Sequence, residues 1–298
     1  MQLKGIFPAV VTPFEGDETV SLGGLQENLR RYNATRVSGY VILGSTGESV
    51  LLRPAEAEAV LAAAREAAAP EKLLIAGTGA ESTAETIART KHAASLGYQV
   101  ALVKTPYYYK PAYRAEAYLS YYRAVADASP IPVLLYSVPQ FTGVTLETPE
   151  ILGLAAHPNI VGIKDSSGNV QRLAEVVAGT GDRFNVLTGN AAVVYPAMLV
   201  GARGAILALA AALPEKCVEL FERAECGQHQ EARQLQCALA SASKRIVSEG
   251  GIAGVKYAMD VRGYRGGLAR RPLLPLAEEQ KRSIAQSLTE LHAVAVRA

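Results

Sequence analysis

Leu73-Leu74-Ile75-Ala76-Gly77 and Val100-Ala101-Leu102-Val103-Lys104 enclose a stretch, Ser82–Leu96, rich in Ala, Glu and Thr. The two outer runs are apolar throughout rather than alternating, as expected of strands covered on both faces. The stretch between them reads as a helix, so the unit is strand, helix, strand. The same alternation runs through the chain. Strands are expected at Ile6–Thr12, Gly39–Leu43, Leu73–Gly77, Val100–Lys104, Val133–Tyr136, Ile160–Lys164, Phe184–Leu187 and Ala205–Leu207. Helices are expected at Leu22–Arg36, Ala55–Ala69, Ser82–Leu96, Ala112–Ala126, Pro149–Ala156, Val170–Ala178, Ala191–Leu199 and Pro214–Ala224. Apolar residues recur there at helical spacing, as at Val60, Ala63, Ala64 and Ala67. Eight such units predict an α/β fold, a (β/α)8 TIM barrel, with a doubly wound open sheet as the alternative. No G-x-G-x-x-G follows the first strand, which weakens a nucleotide-binding reading. Three further helical patterns, Gln230–Val247, Ile252–Val261 and Glu278–Val296, follow the eighth unit. The expected division is a catalytic barrel over 1–226 and a C-terminal helical appendage over 227–298. No Gly/Ser- or Pro-rich linker separates the two, so the appendage should pack on the barrel.

The chain has 298 residues, 49% hydrophobic, with a net charge of +2. Near-neutrality gives no long-range field for nucleic acid or an anionic membrane, so neither is expected as a partner. The basic group Arg262, Arg265, Arg270 and Arg271 is interleaved with Gly263, Gly266 and Gly267 and reads as a solvated loop or subunit contact. Cys217, Cys226 and Cys237 form an odd, clustered set, which argues against a disulfide framework and for a reducing cytoplasm. Their spacing and the scattered His92, His157, His229 and His292 give no metal signature. No apolar run reaches the length of a membrane span. The first strand begins near residue 6, so no signal or transit peptide is expected.

Chemistry in such a barrel sits where the strands end. Lys164 closes the run Asn159-Ile160-Val161-Gly162-Ile163-Lys164 and is followed by Asp165-Ser166-Ser167-Gly168. A lysine there can simply be the first solvated residue after a strand. A desolvated one sheds its proton more readily and is suited to Schiff-base formation with a ketone. Its company favours the second reading. Gly44-Ser45-Thr46-Gly47-Glu48 follows the second strand and offers hydroxyls and backbone N–H groups to an anion. Thr105-Pro106-Tyr107-Tyr108-Tyr109 follows the fourth, Tyr136-Ser137-Val138-Pro139 ends the fifth, and Thr188-Gly189-Asn190 ends the seventh. A phenol at Tyr136 can pass a proton over the barrel mouth.

These segments, in this order, resemble the dihydrodipicolinate synthase / N-acetylneuraminate lyase family of pyruvate-handling class I aldolases, over essentially the whole chain. The family's G-[ST]-T-G-E stands as Gly44–Glu48, its T-P-Y-Y as Thr105–Tyr108, its Y-x-V-P as Tyr136–Pro139 and its G-I-K as Gly162–Lys164. The resemblance implies that Lys164 forms the imine with a 2-oxo acid and that Tyr136 shuttles the proton. It implies a hydroxyl relay in which Ser45 links Tyr136 to Tyr108, the latter from a neighbouring subunit of a dimer or tetramer. Ser45 and Thr46 would hold the substrate carboxylate, and the Ile206 carbonyl and Gly189 turn would complete the pocket. No cofactor or metal is implied, because the protonated imine is itself the electron sink.

The family's synthase branch carries an arginine two residues past the Y-x-V-P proline, gripping the aldehyde's carboxylate. Phe141 stands in that place, and an apolar ring cannot replace a bidentate cation. Pro54 and Ala57 lie where lysine-regulated synthases carry histidines. Segments such as His157-Pro158-Asn159-Ile160-Val161-Gly162, Ala76–Thr83 and Gly251–Pro272 are similar to 4-hydroxy-2-oxoglutarate aldolase, in which the serine at the Ser166 position helps hold substrate. Thr46 departs from the asparagine of the animal enzyme. The leading expectation is therefore cleavage of 4-hydroxy-2-oxoglutarate to pyruvate and glyoxylate. The alternatives are condensation of pyruvate with aspartate semialdehyde by a dihydrodipicolinate synthase, a lyase for sialic acid or 2-keto-3-deoxy sugar acids, and a non-enzymatic ketoacid-binding protein.

Overall fold

The structure is a computed structural model and describes residues 1–296, with side chains through Leu291. Eight strands are present: β1 (Gly5–Pro8), β2 (Gly39–Ile42), β3 (Leu73–Gly77), β4 (Val100–Lys104), β5 (Val133–Ser137), β6 (Ile160–Asp165), β7 (Asn185–Thr188) and β8 (Gly204–Leu207). They form one sheet in the order β1-β8-β7-β6-β5-β4-β3-β2, every pairing parallel. The cylinder closes between β1 and β2 by a bridge from Ala9 to Val41, where Val10 N–H also donates to the Val41 carbonyl at 2.9 Å. The outer ring comprises α1 (Leu22–Asn33), α2 (Pro54–Ala67), α3 (Thr83–Ser95), α4 (Ala115–Ala128), α5 (Thr148–Ala155), α6 (Val170–Thr180), α7 (Val194–Leu199) and α8 (Pro214–Glu225). The fold is the (β/α)8 barrel, not the open sheet.

Several boundaries differ from the sequence reading, two of them for plain local reasons. The first strand stops at Pro8 rather than running to Thr12, because beyond it the chain leaves the β8 ladder and keeps only the single bridge to β2. The fourth helix starts at Ala115 rather than Ala112; Pro111 sits in a separate 3-10 turn, Lys110–Ala112. Two of the ring helices begin where a side chain receives a free N–H group. Ser82 Oγ accepts from Glu85 N–H at 3.1 Å to start α3, and Asn169 Oδ1 accepts from Arg172 N–H at 3.0 Å to start α6.

Strand alternation sorts the core into an interior and an outer shell. Phe7, Val41, Ile75, Val100, Leu102, Leu134, Tyr136, Leu187 and Ile206 fill the barrel, while Ala101, Val103, Val133 and Leu135 face the helices. After α8 come α9 (His229–Ser243), a wider π turn over Lys244–Glu249, α10 (Gly251–Val261) and α11 (Glu278–Val296). The pattern expected as one helix to Val247 therefore loosens at Lys244. Residues 297–298 of the expected appendage lie outside the described residues. Ala232, Leu239, Val255, Met259 and Ile284 of these helices share one hydrophobic cluster with Leu25, Leu29 and Tyr40 of the barrel. The appendage thus has no core of its own.

A buried charge pair fastens it to the barrel mouth. Lys256 on α10 and Glu48 in the loop after β2 are both about 1% exposed, with Nζ 2.5 Å from Oε1. Lys256 also donates to the carbonyls of Thr12 at 2.8 Å and Leu268 at 2.6 Å, which uses all three ammonium donors. Burial pushes the Lys256 ammonium below the ordinary lysine range, and Glu48 works against that push. Arg270 adds a second clamp, bidentate on Glu56 at 2.7 and 2.9 Å.

Removing one partner of such a pair strands a buried charge, which costs about 3–5 kcal/mol. Lys256→Met should lower stability by that amount in urea unfolding, and adding Glu48→Gln should restore most of it. A single variant within about 1 kcal/mol of the parent would mean the pair does not brace the mouth.

Candidate active site

Lys164 owes its position to an irregularity in β6. Ile160 pairs with Val133, but Leu134 pairs with Gly162, so Val161 is an extra residue, a β-bulge. Without it, Lys164 would share the face of Ile160 and point at the helices. With it, Ile160 and Ile163 both join the outer cluster and Lys164 turns inward beside Tyr136. Gly162 permits the bulge: a Cβ there would stand 2.1 Å from the Asn185 carbonyl oxygen.

The Lys164 side chain is 4% exposed, and its Nζ lies 4.1 Å from the centroid of the Tyr136 ring. The Tyr136 hydroxyl is 3.3 Å from Ser45 Oγ. Lys104, Tyr136 and Lys164 are register partners on β4, β5 and β6, so they form one tier across the mouth. The loop beyond Lys164 is held by Asp165, whose carboxylate pairs with Arg172 Nε at 3.0 Å and accepts from Ser167 N–H at 2.8 Å. The Gln140 amide donates to the Ser166 carbonyl at 3.0 Å, tying the β5 and β6 loops together.

Gly189 lies against two side chains from the end of β6 and the loop after it. A Cβ at Gly189 would fall 1.9 Å from Ser166 Oγ and 3.0 Å from Lys164 Cε. The Ser45 loop is built under backbone strain. Leu43 at φ 60° and Glu48 at φ 54° bracket it, each in the left-handed region. Such residues cost about 1–3 kcal/mol and persist where the surroundings enforce them. Here Thr12 Oγ1 donates to the Gly47 carbonyl at 2.7 Å, and Lys256 holds Glu48.

A cavity of about 270 Å³ opens above this tier, lined by Ser45, Lys104, Tyr107, Tyr136, Val138 and Phe141 among others. Of the site residues expected from the sequence, Ser45 and Tyr136 line it, as does the specificity position Phe141. Lys164 lies beyond the Tyr136 ring, and Thr46, Ser166, Gly189 and Ile206 are also outside its wall. Thr46 and Ser166 are buried in their loops, and Ile206 packs in the barrel interior with Tyr136 and Leu187. Tyr108 is 73% exposed and stands edge-on to Tyr109 at 5.1 Å, away from the Ser45–Tyr136 bond. One protomer therefore contains only the Ser45–Tyr136 leg of the expected relay. Phe141 is 64% exposed on the short helix Pro139–Thr142, at the rim of the same cavity. Sequence reasoning assigned no site role to Lys104. The available signal was its parity with Val100 and Leu102, which places it on the inward row of β4. Among the described residues, no group of three or more His, Cys, Asp or Glu could hold a metal ion. Among them no helix is long and apolar enough to cross a membrane.

Residues 2–291 match the dihydrodipicolinate synthetase family. The chain belongs to that family. Curated members similar to it include the 4-hydroxy-tetrahydrodipicolinate synthases of Xanthomonas campestris pv. campestris, 39% identical over 93% of this chain and 91% of that one, and of Methanococcoides burtonii, 36% identical over 97% and 98%. Among solved structures, the dihydrodipicolinate synthase of Acinetobacter baumannii complexed with pyruvate superposes with a TM-score of 0.93 at 33% identity, covering 98% of this chain and 99% of that one. Membership makes this family protein an enzyme of the class I aldolase type, acting on carbon–carbon bonds. These relatives carry the name that the sequence reading held as its alternative; they do not support its leading expectation of a 4-hydroxy-2-oxoglutarate aldolase.

Gly189→Ala should crowd Lys164 and Ser166 without touching the core. Misplacement on this scale slows a positioned reaction by up to about a hundredfold. The expected outcome is slower turnover at unchanged circular dichroism, and an unchanged rate would show that the turn does not set the position of Lys164.

Proposed function

We propose that this enzyme joins pyruvate to a carboxylate-bearing aldehyde through an imine on Lys164, as a 4-hydroxy-tetrahydrodipicolinate synthase does. The observation that carries the reading is the inward, buried Lys164 amine facing a Tyr136 phenol that is bonded to Ser45. Synthase names on relatives that match nearly the whole chain support the choice of reaction.

The steps follow from the side chains. Lys164 Nζ adds to the keto carbon of pyruvate, and the carbinolamine oxygen leaves as water once Tyr136 supplies a proton. The protonated imine draws electrons from the neighbouring bond, so the pyruvate methyl group loses a proton and becomes an enamine. The enamine carbon attacks the aldehyde carbon, and the aldehyde oxygen takes up a proton. Water then releases the product and the free lysine. The imine provides the electron sink, with no cofactor or metal in the scheme. Ser45 and Thr46 would hold the pyruvate carboxylate, with Ser166, Gly189 and the Ile206 carbonyl around the imine. Tyr108 would complete the relay from a second copy, consistent with its exposure and with the exposed Tyr109 beside it.

A second reading is supported by Phe141. The rim has an apolar ring where the synthase branch needs a guanidinium, which favours the reverse chemistry on 4-hydroxy-2-oxoglutarate, giving pyruvate and glyoxylate. Borohydride added with pyruvate should place one reduced adduct on the peptide holding Lys164. An adduct on Lys104 or Lys256 instead, or none, would falsify the scheme. Product assays with aspartate semialdehyde and with glyoxylate then decide between the readings by which aldehyde gives the larger kcat/KM.

Tyr136→Phe keeps the ring against Lys164 and removes the proton carrier. Loss of general acid–base help should slow turnover by about 10²–10⁴. A variant within about threefold of the parent would assign the proton to another group.

A further inference from the structure

We propose that Lys104 receives the carboxylate of the aldehyde partner, taking the part of the guanidinium that Phe141 does not supply. This rests on the pyruvate-imine reading above and names the group that selects the second substrate.

Lys104 ends β4 on the same face as Val100 and Leu102, both of which fill the barrel interior, so alternation directs it to the mouth. Its register partner is Tyr136, whose other register partner is Lys164. Two inward lysines thus flank the phenol, and the scheme above uses only one. Lys104 is also the only cation among the residues lining the 270 Å³ cavity. The single acid there, Glu48, is already neutralised by Lys256. The rest of the wall is largely apolar: Leu43, Val50, Val138, Phe141, Ile252 and Leu273. A low-dielectric wall with one positive charge favours an anion over a neutral ligand of the same shape.

The ammonium has capacity to spare. One donor is spent on the Gly79 carbonyl at 2.6 Å, which fixes the side chain, and the Tyr107 ring stands 5.9 Å away. Among the described residues no carboxylate lies within 4 Å of it, whereas Lys256, Arg270 and Arg172 at the same end of the barrel each have one. Glu81 attracts it from farther off, but one Glu81 oxygen already accepts the N–H groups of Tyr107 and Tyr108. Burial lowers the Lys104 ammonium below the usual lysine range, with Glu81 opposing and Arg89 assisting that shift. An arriving carboxylate would favour the charged form and offset the desolvation.

The test compares kcat/KM, at saturating pyruvate, for two carboxylated aldehydes, glyoxylate and aspartate semialdehyde, with methyl glyoxylate, whose ester removes the charge. The wild type should prefer the better carboxylated aldehyde. Lys104→Met should cut that preference by about ten- to a hundredfold, the worth of one charged hydrogen bond. Lys104→Arg should retain most of it. Borohydride trapping of pyruvate on Lys164 in each variant confirms that the fold and the imine survive. A wild type indifferent to the charge overturns the assignment, as does a Lys104→Met variant that traps pyruvate but keeps the preference. Failure of the wild type to trap pyruvate removes the imine reading itself, and this inference with it.

Discussion

The bulge at Val161 is the constraint on which the chemistry depends. A strand has only two faces, and one extra residue exchanges them. Ile160 and Ile163 then both serve the outer core, although three residues apart, and Lys164 is left inside. An amine inside a barrel of Val, Leu and Ile would be costly with no compensation. The Tyr136 ring face, 4.1 Å away, provides partial electrostatic compensation and leaves the amine free of any carboxylate that would commit it to a salt bridge. The same phenol is bonded to Ser45, so Lys164, Tyr136 and the Ser45 loop are connected through one side chain.

The mouth needs bracing because its loops are strained and come from distant parts of the chain. Leu43 and Glu48 hold left-handed conformations that their side chains disfavour. The restoring contacts come from more than 200 residues away, through Lys256 to Glu48 and Arg270 to Glu56. A buried ion pair is a poor source of net stability but a demanding specification of geometry, since each charge tolerates few other placements. The C-terminal helices therefore act on the site without lining much of it.

Much of the barrel was legible in the sequence because each strand is a short apolar run and each helix shows its own period. That Lys164, Tyr136 and the Ser45 loop gather at one end of the barrel was legible too, since strand ends in this architecture face one way. What was not legible depended on pairing. Nothing in Ile160–Lys164 announces that Val161 is skipped by its neighbour; that follows only from the register with β5. Glu48 and Lys256 become partners only through the closed fold. Tyr108, expected from a neighbouring subunit, is exposed in the single chain, so its place in a relay depends on a contact that one chain does not show. Lys104 was visible as a strand end, but its significance depends on a cavity whose other walls come from residues 43 to 273.

On the proposed reading, substrate choice falls to the half of the pocket that does not hold pyruvate. There the relatives and the local chemistry pull apart: the family names point to a synthase, whereas the rim residue Phe141 has no charge to offer. Lys104, on the strand next to the one that leads to Phe141, relieves the tension in the proposed reading, because a carboxylate needs a cation and does not need it on a particular loop. The exchange has a consequence for geometry. A guanidinium grips with a planar fork, while an ammonium fixed to the Gly79 carbonyl acts as a point charge on the strand beside Tyr136. A point charge constrains distance more than orientation, so in the proposed reading the place of the cation, and not only its presence, would bear on which carboxylated aldehyde fits.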